Sequence, residues 1–465
     1  MAATVSFLIL LLTLSRGFAA EPGMTIKTTT KGIDYANQIA GNALRSKLQT
    51  ITLPDQSGSE GSKSWSITNI RINGITGPDT HISLNPGAGG VTLGISNFGA
   101  SLHADWRARY RIIFKVSSSG SVDLSVSGAS ITLVAALGEK NGRPSIVASS
   151  CTCNIPDIGI KFHGGLAAVI LNIFRGVIRN KVRGLLQDEV CKAVVEQVNT
   201  RADAKLAEMK VTVEIAKKFV LDYGLIRAPA ITSNYIELAN RGLVYWKNNR
   251  QESTFTSAPC PPVTEFSNML YLCLNEFPAN TFAYVAHVNN FLQYNITVDK
   301  IPVSSQLLDP TGQLQTEFPS SKLEIRISSA AAPSVKFENQ KVTVAAAANV
   351  DVVVHSQSSV VTPLQLRVSV SVTVQPSIVD GKLAGIITAY TFNISVRKSD
   401  LANINEAELN ALIRQAIDEV VLPQINEIGR QGIELPSSGV LRFRNTRLNV
   451  QLGVLKVATD AEFMG

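Results

Sequence analysis

The sequence predicts an α+β fold made of two similarly built modules in tandem. Long amphipathic helical patterns are interspersed with runs of alternating, β-branched strand residues, and this order of elements occurs twice, on either side of a proline-containing segment. With 465 residues, 45% of them hydrophobic and only 17% charged, the chain can fill more than one core.

Residues Val5 to Leu14 are almost all apolar, and Arg16-Gly17-Phe18-Ala19-Ala20 places small residues where a peptidase would cut. Residues 1–20 therefore read as a secretory signal peptide, too short to span a bilayer, despite an n-region without Lys or Arg. The expectation is a secreted, extracellular protein, cleaved after Ala19 or Ala20. Five cysteines fit that compartment. Asn295-Ile-Thr and Asn393-Ile-Ser are N-glycosylation sequons.

The N-terminal module, 21–250, opens with a helical pattern: Ile33, Ala36, Ala40, Leu44 and Leu48 share a face, and Pro54 lies beyond its end. Strand signals follow at Trp65–Ile75, Val91–Ile95, Ser101–Val116 and Ser121–Leu137. A long helix is predicted over Gly165–Val198. Ile170, Phe174, Ile178, Val182, Leu185 and Leu186 line one face, and Arg175, Arg179 and Arg183 another, with Lys181 nearby. Pro259, Pro261 and Pro262 mark a linker over 251–265.

The second module, 266–465, repeats the order. A helical pattern over Phe266–Phe291 is interrupted at Pro278, and Leu364–Val374 alternates as a strand. A helix over Asp400–Leu422 stops at Pro423, and final strands run from Val440 to Val457.

Charge is unevenly divided. Glu21 to Lys210 holds 21 basic and 14 acidic residues, whereas Val211 onward holds 21 and 22. A basic front half on a secreted chain points to a polyanionic partner other than nucleic acid. The sharpest local signal is Trp106-Arg-Ala-Arg-Tyr-Arg-Ile-Ile-Phe-Lys115. On a strand, Arg107, Arg109 and Arg111 project from one face about 7 Å apart, while Ala108, Tyr110 and Ile112 face a core. A row of guanidiniums suits phosphates, each able to make a bidentate, charge-assisted contact. The bland alternative is a barrel strand whose solvent face happens to be basic. Catalysis finds no footing: there is no G-x-S-x-G elbow, H-E-x-x-H or P-loop. His81, His103, His163, His287 and His355 show no metal-ligand spacing. The reading is no enzyme, no metal and no cofactor.

Several separated motifs carry a family resemblance. They are Pro22-Gly-Met-Thr-Ile-Lys-Thr-Thr-Thr-Lys-Gly-Ile-Asp-Tyr-Ala36, Pro261-Pro-Val-Thr-Glu-Phe266, Met269-Leu-Tyr-Leu-Cys-Leu-Asn-Glu-Phe277, Leu422-Pro-Gln-Ile-Asn-Glu427 and Gly432-Ile-Glu-Leu-Pro436. In that order the chain resembles the bactericidal/permeability-increasing protein and lipopolysaccharide-binding protein family. The resemblance implies an elongated boomerang of two similar β-barrels with long helices, joined by a central antiparallel sheet. It implies a phospholipid in an apolar pocket on each side, and a monomer that binds lipopolysaccharide (lipid A) of the Gram-negative outer membrane. Permeabilised or neutralised membrane would follow. A phospholipid carrier, or lipopolysaccharide presentation to a host receptor without killing, is the alternative.

The segment of Arg107, Arg109, Arg111 and Lys115 resembles the family's basic lipopolysaccharide-binding strand, with Lys27, Lys31, Arg45 and Lys47 as candidate extensions of the patch. Lys27 stands where the family usually has Arg. The spacing of Cys151 and Cys191 matches the family's disulfide, although Cys153 is an alternative partner for Cys191. Cys260 with Cys273 is a second candidate bridge, which leaves one thiol over.

Overall fold

The structure, a computed structural model, describes residues 21–297, 316–435 and 441–464, apart from 49–50, 78, 112–114, 165–167, 320, 402–403 and 405. The signal-peptide segment lies outside the described residues. Strand β1 (Met24–Thr29) leads into the first helix, Thr30–Leu48. β2 (Gln56–Glu60), β3 (Lys63–Thr76), β4 (Asp79–Asn85), β5 (Gly90–Arg111), β6 (Lys115–Lys140), β7 (Arg143–Asn154) and β8 (Asp157–His163) then build one antiparallel sheet. Its order is β2-β3-β5-β6-β7, with β4 on β5 and β8 on β6.

Two segments predicted as separate strands, Val91–Ile95 and Ser101–Val116, prove to be largely one. β5 runs through both, and its ladder with β6 slips between Ile95 and Ala100, where Asn97 takes φ 53°. Such bulges bend and twist a strand without ending it, so a polar Asn inside the run is compatible with continuity. A 22-residue strand reaches roughly 70 Å if straight. The predicted strand also runs too far: Lys115 and Val116 belong to β6, where they pair with Arg111 and Tyr110 of β5. Ile112 to Phe114 lie outside the described residues.

The long helix spans Ala168–Glu196 and covers the inner face of this sheet. Ile178, Val182, Leu186, Val190 and Val194 recur at four-residue steps, are all buried, and share a core with Ile67, Leu102, Trp106, Leu124 and Ile158. Cys151 of β7 is bonded to Cys191 of this helix, and Cys260 to Cys273; Cys153 is a buried free thiol.

The second sheet is also seven-stranded, formed by Gln293–Thr297, Lys322–Ser329, Ser334–Glu338, Lys341–His355, Val360–Val379, Lys382–Ser399 and Ile433–Glu434. Leu364 and Leu366 are core residues there. Between the two sheets lies a six-stranded antiparallel sheet to which both ends of the chain contribute. Its order is Ala230–Ile231, Tyr235–Asn240, β1, Leu270–Asn275, Val454–Phe463 and Leu441–Gln451.

Two helix predictions in the second half need correction, both for the same reason. Proline opens helices here instead of breaking or ending them. Leu270–Asn275 is a strand of the central sheet, and Pro278 sits in the first turn of helix Phe277–Val288. Pro423 likewise begins helix Leu422–Gln431, which follows Glu406–Ala416 through a wide turn at Ile417–Val421. At Pro278 the first-turn position loses no intrahelical hydrogen bond, because that N–H has no partner anyway. Pro423 follows directly on the wide turn, whose altered hydrogen bonding accommodates a residue without an N–H. Both sequon asparagines are exposed, Asn295 on the edge strand of its sheet and Asn393 on Lys382–Ser399.

Candidate basic site on the N-terminal sheet

The far end of the β5–β6 hairpin carries the predicted arginine row. Along β5, Trp106 and Ala108 are buried while Arg107, Arg109 and Arg111 are exposed, so the three guanidiniums share the solvent face. The buried side is anchored by Trp106, whose indole N–H donates to the Ser121 carbonyl at 3.1 Å and whose ring meets Phe162 edge to face. Trp65, opposite Ala108 on β3, is also buried. These apolar anchors fix which way the arginines point.

The cross-strand neighbours of the first two arginines are small and uncharged. Arg107 lies between Ser66 and Ser119, and Arg109 between Ser64 and Ser117. Arg111 faces Lys115. Among the described residues no carboxylate pairs with any of these four cations; the closest acidic position along the face, Asp105, accepts from the Asn69 amide at 2.7 Å. Like charges on adjacent face positions repel, so the row is not explained by stability. An anion bearing several phosphates would relieve that repulsion.

Lys27 and Lys31 do not join this row. Lys27 is buried in the central sheet, paired with Glu237 at 3.2 Å and lying over the Tyr235 ring at 4.7 Å. It is part of the joint between the halves, not of an anion site. Replacing it with methionine leaves Glu237 poorly compensated. The expected cost is about 3 kcal/mol of stability, read as a lower denaturant midpoint. Lys31 is likewise engaged: its ammonium reaches Asp460 at 3.0 Å and the Ser267 carbonyl at 3.1 Å, across to the C-terminal strands. Arg45 and Lys47 belong to the first helix, but their side chains lie outside the described residues. On the long helix, Arg179 and Arg183 approach Asp157 at 4.0 and 3.9 Å, and Arg175 donates to the Ile160 carbonyl. That stripe is the helix's fastening to β8.

One cluster went unread in the sequence. His103 on β5 and His163 on β8 bracket Asp123 on β6, with ring nitrogens 2.6 and 2.8 Å from its two oxygens. Hydrogen bonds from His103 and then His163 hold the Asp123 carboxyl below the usual carboxylate range. Scattered histidines give no such signal until strand register is known.

Comparison with known proteins accounts for the frame in which this site sits. A family model described as the LBP / BPI / CETP family, C-terminal domain, matches residues 213–463, and the corresponding N-terminal domain model matches 32–206. The chain belongs to the LBP / BPI / CETP family. It is 28% identical to the bactericidal permeability-increasing protein of Sebastes schlegelii over 459 residues, covering 96% of each chain. It is also 28% identical to human lipopolysaccharide-binding protein, covering 98% of this chain and 97% of that one. A crystal structure of lipopolysaccharide binding protein superposes with a TM-score of 0.63 at 22% identity, over 96% of this chain. The two helix-backed sheets joined by a central antiparallel sheet are thus the fold of this family.

Within that fold the two halves differ in how their arginines are used. In the second sheet Arg326 is paired with Glu324 at 2.9 Å, and Arg367 and Arg397 both donate to the Asn349 side chain. In the first, the β5 row stands unpaired. The first half also holds an apolar seam between sheet, helix and the Ile51 segment, lined by Ile72, Phe98, Val126, Leu186 and Val190 and enclosing only about 10 Å³. Among the described residues no helix is long and apolar enough to cross a membrane, and no cluster of three or more His, Cys, Asp or Glu is placed to hold a metal ion.

Proposed function

We propose that this protein is a secreted, non-enzymatic innate-immune protein that binds lipopolysaccharide of Gram-negative bacteria, with lipid A phosphates on Arg107, Arg109, Arg111 and Lys115. The observation that carries the reading is the unpaired arginine row, flanked by serines and held rigid by buried aromatics. Family membership and the names of the relatives support the ligand class. Phosphate pairing displaces the divalent cations that bridge neighbouring lipid A molecules, and the outer membrane is loosened or the lipid neutralised. A phospholipid tail belongs in the apolar seam. At about 10 Å³ that seam is no larger than a single water site, so a tail enters only if the Ile51 segment and the long helix part.

The direct test is binding of the full protein to immobilised lipid A at two salt concentrations. Affinity should fall about tenfold between 50 and 300 mM NaCl, because surface phosphate contacts are screened and phosphate-bound counterions return. Tight binding that ignores salt would remove the arginine row from the reading. Phospholipid exchange between vesicles without lipid A binding would make the protein a carrier instead.

A further inference from the structure

The solvent face that bears the arginine row does not stop there. Moving along β5 and β6 away from the hairpin end, the cross-strand pairs are Arg107 with Ser119, Asp105 with Ser121, His103 with Asp123, and Ser101 with Ser125. Arg71 of β3 lies opposite His103, and Lys161 of β8 opposite Asp123. Next to this row is a shallow groove of about 500 Å³, lined by Asn73, Ser101, Asp123, Ser125, Gly159 and Lys161 among others. Gly159 keeps its floor low, since a Cβ there would fall 2.4 Å from the Ser125 hydroxyl. Four residues along a strand is about 13 Å, so Arg107 and His103 lie within reach of one extended ligand.

We propose that this groove holds the anionic saccharide attached to a phosphate-bearing glycolipid docked on the arginine row, and that His103, Asp123 and His163 make its grip acid-strengthened. The proposal rests on the lipopolysaccharide reading above and extends it from the lipid's phosphates to its sugars. The groove offers what a hydroxyl-rich, negatively charged chain needs: serine and asparagine side chains and an ammonium, with Leu102, Leu124 and Ile160 completing its lining. At neutral pH its flaw is Asp123, whose charge repels an anion. Both imidazoles already have a nitrogen on that carboxylate, and histidine ordinarily titrates between pH 5 and 8.

When both imidazoles carry protons the trio changes from one negative charge to one positive. Asp123 stays ionised through that window, because its carboxyl is held low. The remaining charged side chains beside the trio are Arg71 on β3, Asp105 on β5 and Lys161 on β8, with Arg175 of the long helix on the Ile160 carbonyl of β8.

The experiment compares binding of the full protein to lipopolysaccharide with a complete core saccharide and to lipid A alone, at pH 7.5 and 5.5 and fixed ionic strength. Affinity for the saccharide-bearing form should rise about fivefold on acidification, by two added charges near a screened surface site, with a smaller rise for lipid A. His103→Gln with His163→Gln should flatten that pH profile. Asp123→Asn should raise affinity for the saccharide-bearing form at pH 7.5 without acid. Thermal melts of each variant establish that it is folded.

An equal acid response for both ligands, a response retained by the double histidine variant, or an Asp123→Asn variant no tighter than the parent would each overturn the proposal. Loss of the lipopolysaccharide reading itself has a separate signature, namely lipid A binding at pH 7.5 that is unchanged when Arg107, Arg109 and Arg111 are replaced by glutamate.

Discussion

Changing Arg107, Arg109 and Arg111 together to glutamate should weaken binding to lipid A about a hundredfold or more while leaving the melting temperature close to that of the parent. The two halves of that expectation come from different faces of one strand. On the solvent face the substitution turns three positive charges into three negative ones beside Lys115, so each phosphate meets repulsion where it met a bidentate donor. On the inner face nothing changes. Trp106, Ala108, Ile67 and Leu124 hold β5 in place, and the arginines take no part in that core.

The serines beside them are small enough to accept either charge. Arg→Lys at the same three positions should give an intermediate loss, since charge is kept and fork geometry is not. Undiminished binding by the folded glutamate variant would place the ligand elsewhere on the molecule.

The arginine row was legible because period-two alternation is written directly in the sequence and needs no partner to be seen. The same holds for the buried face of the long helix, where Ile178, Val182 and Leu186 fall at helical spacing and are buried. On the first helix Ile33 is buried, but Ala36 of the predicted face is exposed, and the side chains of Ala40, Leu44 and Leu48 lie outside the described residues. What alternation cannot show is register. His103 meets Asp123 only because the β5–β6 hairpin is symmetric about position 113, which also sets Arg111 against Lys115. Lys27 and Lys31 were misjudged for a related reason. Their charge is visible locally, but their partners Glu237 and Asp460 are more than two hundred residues away and reach them only through the central sheet. The prolines at 278 and 423 misled in a different way, since a first-turn proline and a breaking proline look alike until the helix axis is known.

Cys151 and Cys191 support the second large expectation. Replacing both with alanine opens a loop of 40 residues, and the chain-entropy estimate puts the loss at about 4 kcal/mol. The bridge joins β7 to the long helix that covers the inner face of the first sheet, so the damage should appear in the unfolding of that half. The Cys260–Cys273 bridge closes only 13 residues, and its removal should cost less, about 3 kcal/mol on the same estimate.

Cys153 sits two positions from Cys151 on the same side of β7, yet it should not substitute for it in the native state. Burial pushes its thiol up to about 11, so almost no thiolate exists at neutral pH, and the thiolate is the attacking species in disulfide exchange. Thiol titration of the native protein should therefore find no reactive group, and one per chain should appear after unfolding in denaturant. Rapid modification of the folded protein would mean that the Cys153 thiol is not shielded, and a double alanine variant as stable as the parent would mean that the long helix is held to the sheet by packing alone.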